Sequence, residues 1–196
     1  MIESRPFSAE GGYTTIAPVA PAVKLPAAAP ANAAFASTAT TPKSAAKAAT
    51  SLGKFIKTFS YTGPESAIVH VELGARDGRN IYIDRDYTFA NLPATLVGAD
   101  WLQVADADQR YSAVDLIELA VPAGSVVTIA HDGRALLPAW LTKQFQPTEQ
   151  SVTVNGQPMK LFSRRAAKDE SLTFGSNTDG APVRANQYVV LVNAAP

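Results

Sequence analysis

Apolar and polar residues alternate with a period of two along most of the chain after residue 66. Val69, Val71 and Leu73 form the first such run. Because successive side chains of a β-strand point to opposite faces, this period predicts strands. Beside the 67–73 run, the predicted strands are Phe55–Tyr61, Ile81–Ile83, Trp101–Ala105, Leu116–Val121, Ser125–Ala130, Val152–Val154, Met159–Ser163, Leu172–Phe174 and Tyr188–Val192.

Turn residues separate these apolar runs. Pro122-Ala123-Gly124 and Asp132-Gly133 each lie between two of them, and Asn155-Gly156 is a strong hairpin signal, since both central positions of a type I′ turn need positive φ. Strands do not alternate with long helical patterns. The sequence therefore predicts an all-β fold, an antiparallel β-sandwich of the jelly-roll type.

The first fifty residues have a different composition. They are rich in Ala, Pro, Ser and Thr and poor in aromatic residues, so they offer too little apolar area to offset chain entropy. We predict an extended or disordered arm over residues 1–52 and a sandwich domain over residues 53–196. The arm is either a flexible tail or a segment that orders on a neighbouring subunit. In the second case its isolated large side chains would be the anchors, chiefly Phe7, Tyr13, Leu25 and Phe35, with Ile16 and Val23 beside them.

The segment between the arm and the first alternating run has two interpretations. Leu52, Ile56 and Phe59 fall at helical spacing between lysines, which suits an amphipathic helix. Gly53 opposes a helix because glycine costs about 1 kcal/mol in a helix interior. We favour a loop that leads into a first strand.

Composition narrows the classes of partner. Lys plus Arg and Asp plus Glu both number 17, so the formal net charge is zero and gives no reason to expect nucleic acid as a partner. There is no cysteine, and hence no disulfide or thiolate metal site. We expect no secretory leader at Met1–Phe7, and no apolar run approaches the ~20 residues that cross a bilayer, so membrane insertion is not predicted.

The ionisable residues do not form a recognised catalytic or metal-binding motif. His131 adjoins Asp132, but neighbouring strand residues point to opposite faces, so we interpret the pair as capping a strand end rather than as part of a triad. His70 is interpreted as an ordinary strand residue. Asp106 and Asp108 supply too few ligands for calcium and are interpreted as solvated loop acids. No catalytic residue, metal ligand or cofactor is predicted.

A second acidic group and the aromatic residues complete the candidate chemistry. The run Asp84-Arg85-Asp86 predicts a local network of charge pairs. The sequence context of Trp101 and Trp140 favours core packing for both. Tyr87 and Tyr111 have more polar neighbours and are the candidate glycan contacts, since exposed aromatic rings stack on sugars.

An ordered set of short motifs carries a resemblance to a known family. The set runs from Tyr82–Phe89 through Gly98–Trp101 and Val127–Asp132 to Pro138–Leu141, and it continues through Leu172–Asn177 to the last predicted strand. It resembles the carbohydrate-binding-like β-sandwich appended to pectate lyases and related polysaccharide-degrading enzymes. The resemblance covers about residues 64–193. It implies a galactose-binding-like sandwich without catalytic activity of its own, and it transfers no established ligand residue.

Two functional hypotheses follow for a non-catalytic protein. The expected lack of an enzyme domain and of a leader, together with the absent cysteine and the long arm, favours a virion-surface capsid decoration (cement) protein of a tailed bacteriophage. Its sandwich would be displayed outward, its arm would contact capsid neighbours or other copies, and it would bind surface polysaccharide weakly. The alternative is an extracellular carbohydrate-binding module or adhesin of a polysaccharide-degrading system. A free-standing hydrolase or lyase ranks third.

Overall fold

A computed structural model describes residues 52–178 and 184–195, and it shows two antiparallel sheets that form a β-sandwich. The smaller sheet has three strands in the order β1-β5-β9, and the larger has seven in the order β2-β4-β10-β6-β8-β7-β3. The strands are β1 Thr58–Tyr61, β2 His70–Glu72, β3 Phe89–Ala90, β4 Asp100–Gln103, β5 Ile117–Val121, β6 Ser125–Asp132, β7 Gln146–Val154, β8 Gln157–Arg165, β9 Glu170–Phe174 and β10 Val189–Ala194. A short helix, α1, spans Ala139–Gln144, and 3-10 turns span Ala94–Leu96 and Asp106–Arg110.

The three-stranded sheet shows the alternation that its sequence predicts. Along β5, Ile117 and Leu119 are buried while Glu118 between them is exposed. Ile117 lies opposite Phe174 and Leu119 opposite Leu172, and paired residues share a face of the sheet. This face is therefore apolar and belongs to the core, while the other face is solvated.

The centre of the seven-stranded sheet is buried on both faces. The β10 residues Val189 to Val192 are all buried, although successive side chains point in opposite directions. On one face, Trp101 lies opposite Leu191, and its indole meets the Phe89 ring edge-on at 5.6 Å. The sequences of β6 and β10 therefore contain continuous apolar runs rather than a strict alternation of apolar and polar residues.

The other face of this sheet packs against the three-stranded sheet, and aromatic rings fill one end of the interface. Tyr188 lies 5.1 Å from Trp140 on α1, and Trp140 lies 5.5 Å from Phe174 on β9, measured between ring centroids. The Trp140 indole N–H donates to the Ser176 carbonyl at 3.0 Å. Trp101 is fully buried and Trp140 partly so, which confirms the predicted core packing of both.

A buried carboxylate ties the start of the described chain to the core. Asp100 on β4 is 1% exposed and accepts hydrogen bonds from the backbone N–H groups of Phe55 at 2.5 Å and Ile56 at 3.3 Å. Residues 52–57 therefore form a loop that leads into β1, as favoured above, and do not form a helix.

Two backbone irregularities shape the β7–β8 hairpin. At its tip, Asn155 and Gly156 have φ of 48° and 70°, which confirms the predicted turn. Farther along, the pairing of β7 with β8 shifts register between Pro147 and Ser151. The Thr148 hydroxyl donates to the Leu161 carbonyl at 3.1 Å and fixes this bulge.

The all-β sandwich is confirmed, and the differences lie in element boundaries. Residues 81–83 are not a strand, and β7 begins six residues before the predicted Val152. β3 is only two residues long and the polar start of β7 is largely exposed, so neither carries a clear period-two signal. The predicted boundary at residue 52 between the N-terminal arm and the sandwich domain stays a prediction. The anchors Phe7, Tyr13, Leu25 and Phe35 lie outside the described residues.

Candidate functional site

Polar side chains concentrate at the end of the sandwich where β6 ends and the chain approaches β10. They come from separate stretches that antiparallel pairing brings together, since Ala130 near the end of β6 lies opposite Val189 at the start of β10. The buried polar residues of this end are Asp106, Asp108, His131, Asp132, Ser176, Asn177, Thr178, Asn186 and Gln187.

The Asp132–Arg134 pair is the most extensively bonded part of this cluster. Arg134 Nη2 lies 2.5 Å from Asp132 Oδ2, and Arg134 Nε lies 3.0 Å from Asp132 Oδ1. The Asn186 backbone N–H also donates to Asp132 Oδ2 at 2.8 Å. Asp132 is 1% exposed, whereas the Arg134 side chain is 43% exposed. The buried carboxylate therefore holds an accessible guanidinium in one orientation.

The pKa values of this pair follow from its geometry. Burial alone would raise the pKa of Asp132, but the hydrogen bonds from Arg134 and from the Asn186 backbone hold it below the usual value. The hydrogen bond to Asp132 raises the pKa of Arg134 against the opposing effect of burial, and the negative charges of Asp132 and Asp106 add to the rise. Both groups of the pair are therefore ionised at neutral pH.

A second carboxylate network lies behind the pair. Asp106 Oδ1 accepts from the Gln187 backbone N–H at 2.9 Å, and the Tyr82 hydroxyl donates to the Gln187 carbonyl at 2.5 Å. Asp84 in turn accepts from the Asp106 backbone N–H at 2.7 Å. Burial raises the pKa of Asp106. These bonds join three loops, so the carboxylates stabilise the end of the sandwich.

Several interpretations of the acidic residues need correction. Asp106 and Asp108 are buried, not solvated, and Asp108 Oδ2 accepts from the Tyr61 hydroxyl at 2.8 Å. The predicted network around Arg85 includes Asp84, 3.1 Å away, but its second carboxylate is Asp106 at 3.9 Å. Asp86 has no ion-pair partner within the described ranges. Sequence spacing gave no signal for these long-range partners.

The two residues of the His131-Asp132 pair have separate environments. Asp132 caps the turn, because its Oδ1 accepts from the Arg134 backbone N–H at 3.0 Å. His131 does not cap anything: it is fully buried, its ring meets Phe162 edge-on at 6.4 Å, and neither ring nitrogen has a partner in the described part of the chain. Burial lowers the pKa of His131 to about 4. His70 is an exposed strand residue bonded to the Ile68 carbonyl, as predicted.

An open groove lies beside Arg134, and most of the residues that line it are polar or charged. Its volume is about 630 Å³, and one wall is the β7 bulge. We name it the Arg134 groove, and it is lined by Asp132, Gly133, Arg134, Pro147, Thr148, Glu149, Gln150, Ser151, Gln157, Pro158 and Lys160. Apart from Asp132, sequence reasoning missed these residues, since their only local signal, the polar start of β7, resembles that of any exposed strand.

The predicted glycan contacts occupy different places. Tyr87 is partly buried, meets Tyr82 edge-on at 6.2 Å and lines a second, shallower groove of about 280 Å³ beside the Asn155-Gly156 turn. Tyr111 follows the 3-10 turn at Asp106–Arg110 and is 37% exposed, and it lines neither groove. The structure does not place the two tyrosines in a common groove. Their contact with a glycan stays a prediction.

Comparison with known proteins gives partial matches to glycoside hydrolases. Over 140 residues the chain is 29% identical to a β-glucuronidase from Formosa agariphila. This match covers 71% of this chain and 14% of the enzyme. A solved structure of a β-glucuronidase from glycoside hydrolase family 2 is 28% identical and superposes with a TM-score of 0.65, covering 69% of this chain and 14% of that one. No family model matches.

The short length of these matches limits which properties of the relatives can be assigned to this chain. It spans about one seventh of the length of these relatives, so they concern a β-sandwich segment of a much longer enzyme. They favour the polysaccharide-degrading alternative and give no support to the virion-decoration hypothesis. Within the part of the chain that the structure describes, no helix is long and apolar enough to cross a membrane.

Proposed function

We propose that this chain is a non-catalytic carbohydrate-binding module of an extracellular polysaccharide-degrading system. The observation that carries the proposal is the match of a sandwich-sized segment to β-glucuronidases in both sequence and structure. The glycan-binding function is our inference, and the open groove beside Arg134, with its polar and charged side chains, supports it.

The hydrogen bonds that the buried carboxylates already accept support a binding role for this chain over a catalytic one. Glycoside hydrolysis needs two carboxyl groups that face each other across a sugar. Asp132 is instead saturated by Arg134 and the Asn186 backbone, and Asp84 and Asp106 accept backbone N–H groups. Carboxylates bonded in this way stabilise loops and are poorly placed to exchange protons with a substrate.

A binding panel tests the proposal. The full chain is run by affinity electrophoresis through gels that contain neutral, uronic-acid and sulfated polysaccharides, and the same glycans are assayed for newly released reducing ends. We expect retardation by at least one polysaccharide and no release of reducing ends. Retardation by none of them, or turnover of any, would contradict the proposal.

Two aromatic variants locate the contact surface. Tyr87→Ala should weaken retardation if sugars extend past the Asn155-Gly156 turn, and Tyr111→Ala tests the second predicted contact. Stacking of a nucleobase on one aromatic ring is worth about 1–3 kcal/mol, and a sugar contact of comparable strength, when lost, weakens binding about fivefold to a hundredfold. Leu137→Ala is the matched control, because Leu137 is exposed and lines neither groove.

A further inference from the structure

The Arg134 groove has a rigid polar wall. The register shift between Pro147 and Ser151 turns the intervening residues out of the regular ladder. Two hydrogen bonds fix this conformation, from the Thr148 hydroxyl to the Leu161 carbonyl and from the Gln150 backbone N–H to the Thr148 hydroxyl at 3.2 Å. Bulges re-aim side chains near binding sites, and this one presents Glu149 and Gln150 to the groove.

The groove also carries a guanidinium whose orientation is set before any ligand arrives. Asp132 binds Arg134 through Nε and Nη2, and among the described residues Nη1 has no hydrogen-bond partner. A fixed fork of donors loses little side-chain entropy when it binds a further oxyanion. Arg134 is therefore preorganised to donate from its exposed edge.

Two cationic side chains of the groove are exposed. Lys160 is exposed, lines the same groove and forms no ion pair with any described residue. The four charged residues of the lining sum to a net charge of zero, but Asp132 is buried against Arg134, so the charged groups that face solvent are Arg134, Lys160 and Glu149. Glu149 can accept a hydrogen bond from a sugar hydroxyl. Arg134 and Lys160 can both donate hydrogen bonds to an anionic group of a ligand.

The groove contains no aromatic ring among its lining residues. Neutral, flat polysaccharides are commonly recognised by stacking on aromatic faces, and Pro147 and Pro158 are the only ring side chains that this lining offers. Binding must come mainly from hydrogen bonds and charge. We propose that the Arg134 groove binds an acidic glycan, with Arg134 and Lys160 contacting a carboxylate or sulfate group on the sugar.

This inference rests on the proposed function, and it is tested with defined probes. Calorimetry measures binding of the full chain to a hexuronate oligosaccharide, to the same oligosaccharide after reduction of its carboxyl groups, and to a sulfated oligosaccharide of equal length. We expect binding of at least one acidic probe and at least tenfold weaker binding of the carboxyl-reduced one. The two acidic probes distinguish carboxylate from sulfate recognition. Binding should weaken as salt is raised, because exposed charges are screened.

Charge variants assign the effect to the groove. Lys160→Gln should weaken binding of the acidic probe about tenfold, as expected when a charged hydrogen bond is lost. Arg134→Lys keeps the charge but loses the fork, and it should weaken binding while the protein remains folded by circular dichroism. Lys168→Gln is the matched control: Lys168 is exposed but lies near Asp169, away from the groove, so binding should not change.

The outcomes separate this inference from the proposed function. If the hexuronate binds no more tightly than its carboxyl-reduced form and the sulfated probe does not bind, or if Lys160→Gln keeps full affinity, the acidic-glycan inference is overturned and the carbohydrate-binding function stands. Failure to bind every glycan, including the neutral polysaccharides of the panel above, overturns both.

Discussion

Replacement of His131 tests the internal structure of the sandwich most directly. His131 is fully buried between the sheets, contacts Phe162 and has no hydrogen-bond partner among the described residues. An imidazole in such a place is stable only when neutral, since burial of an unpaired charge is costly. We therefore expect acid to destabilise the fold through this one side chain, and His131→Leu to remove that effect.

The magnitude follows from proton linkage. Burial lowers the pKa of His131 from 6.5 to about 4, so between these values the unfolded chain binds a proton that the folded chain excludes. Stability is therefore lost as pH falls through 6.5 towards 4. At about 1.36 kcal/mol per pH unit, the loss between pH 7.5 and pH 5 is about 2 kcal/mol, and it approaches about 3.4 kcal/mol below pH 4.

Urea unfolding at pH 7.5 and at pH 5 measures this loss. The wild type should lose about 2 kcal/mol more than His131→Leu between the two conditions. The pKa values of Asp132 and Asp169 are lowered from 3.8. The stability that is lost when these two carboxylates take up protons is therefore lost below about pH 3.8, outside this range. Asp106, whose raised pKa acts in the opposite direction, contributes equally to wild type and variant and cancels.

The second histidine of the chain supplies the control. His70 is exposed on the edge strand β2, so His70→Gln is unfolded in parallel to show what replacing a histidine outside the core does. Titration of the His131 ring by NMR should give a midpoint near 4. If His131→Leu and the wild type lose the same free energy on acidification, the buried, neutral state of His131 derived above is wrong.

Three further substitutions test other parts of the structure. Gly156→Ala places a side chain at φ 70° and should lower the free energy of unfolding by about 1 kcal/mol, measured by urea unfolding. Asp132→Asn leaves Arg134 without its carboxylate and should cost about 1.5–3 kcal/mol, whereas a loss below 0.5 kcal/mol would mean that the pair does not organise the groove. Lys57→Met removes the exposed pair with Asp169 and should leave the thermal midpoint unchanged, so a large loss there would contradict the weak role assigned to surface pairs.

Residues with a local signal were predicted well. The turn at Asn155-Gly156 depends on backbone conformations that two adjacent residue types favour. The burial of Trp101 and Leu119 follows from their place in an alternating or continuous apolar run. Strand identity in the core was therefore predictable, while strand ends were not, because edge segments such as the start of β7 are exposed and carry no apolar period.

The groove depends on contacts that local sequence does not encode. Arg134 is oriented by Asp132, which is itself held by Asn186, fifty-four residues away in the chain, and Lys160 reaches the same groove from another strand. The burial of Asp106 and Asp108 escaped prediction for the same reason, since their partners Gln187 and Tyr61 are distant in sequence.

By itself, the sequence determined the class of fold, its core strands and its tightest turn, because period, propensity and turn chemistry act over a few neighbouring residues. Only the tertiary structure decided which polar side chains meet, which carboxylates are buried and where a groove opens. Antiparallel pairing brings residues together across long stretches of chain, and burial and hydrogen bonding of charged groups depend on those distant partners.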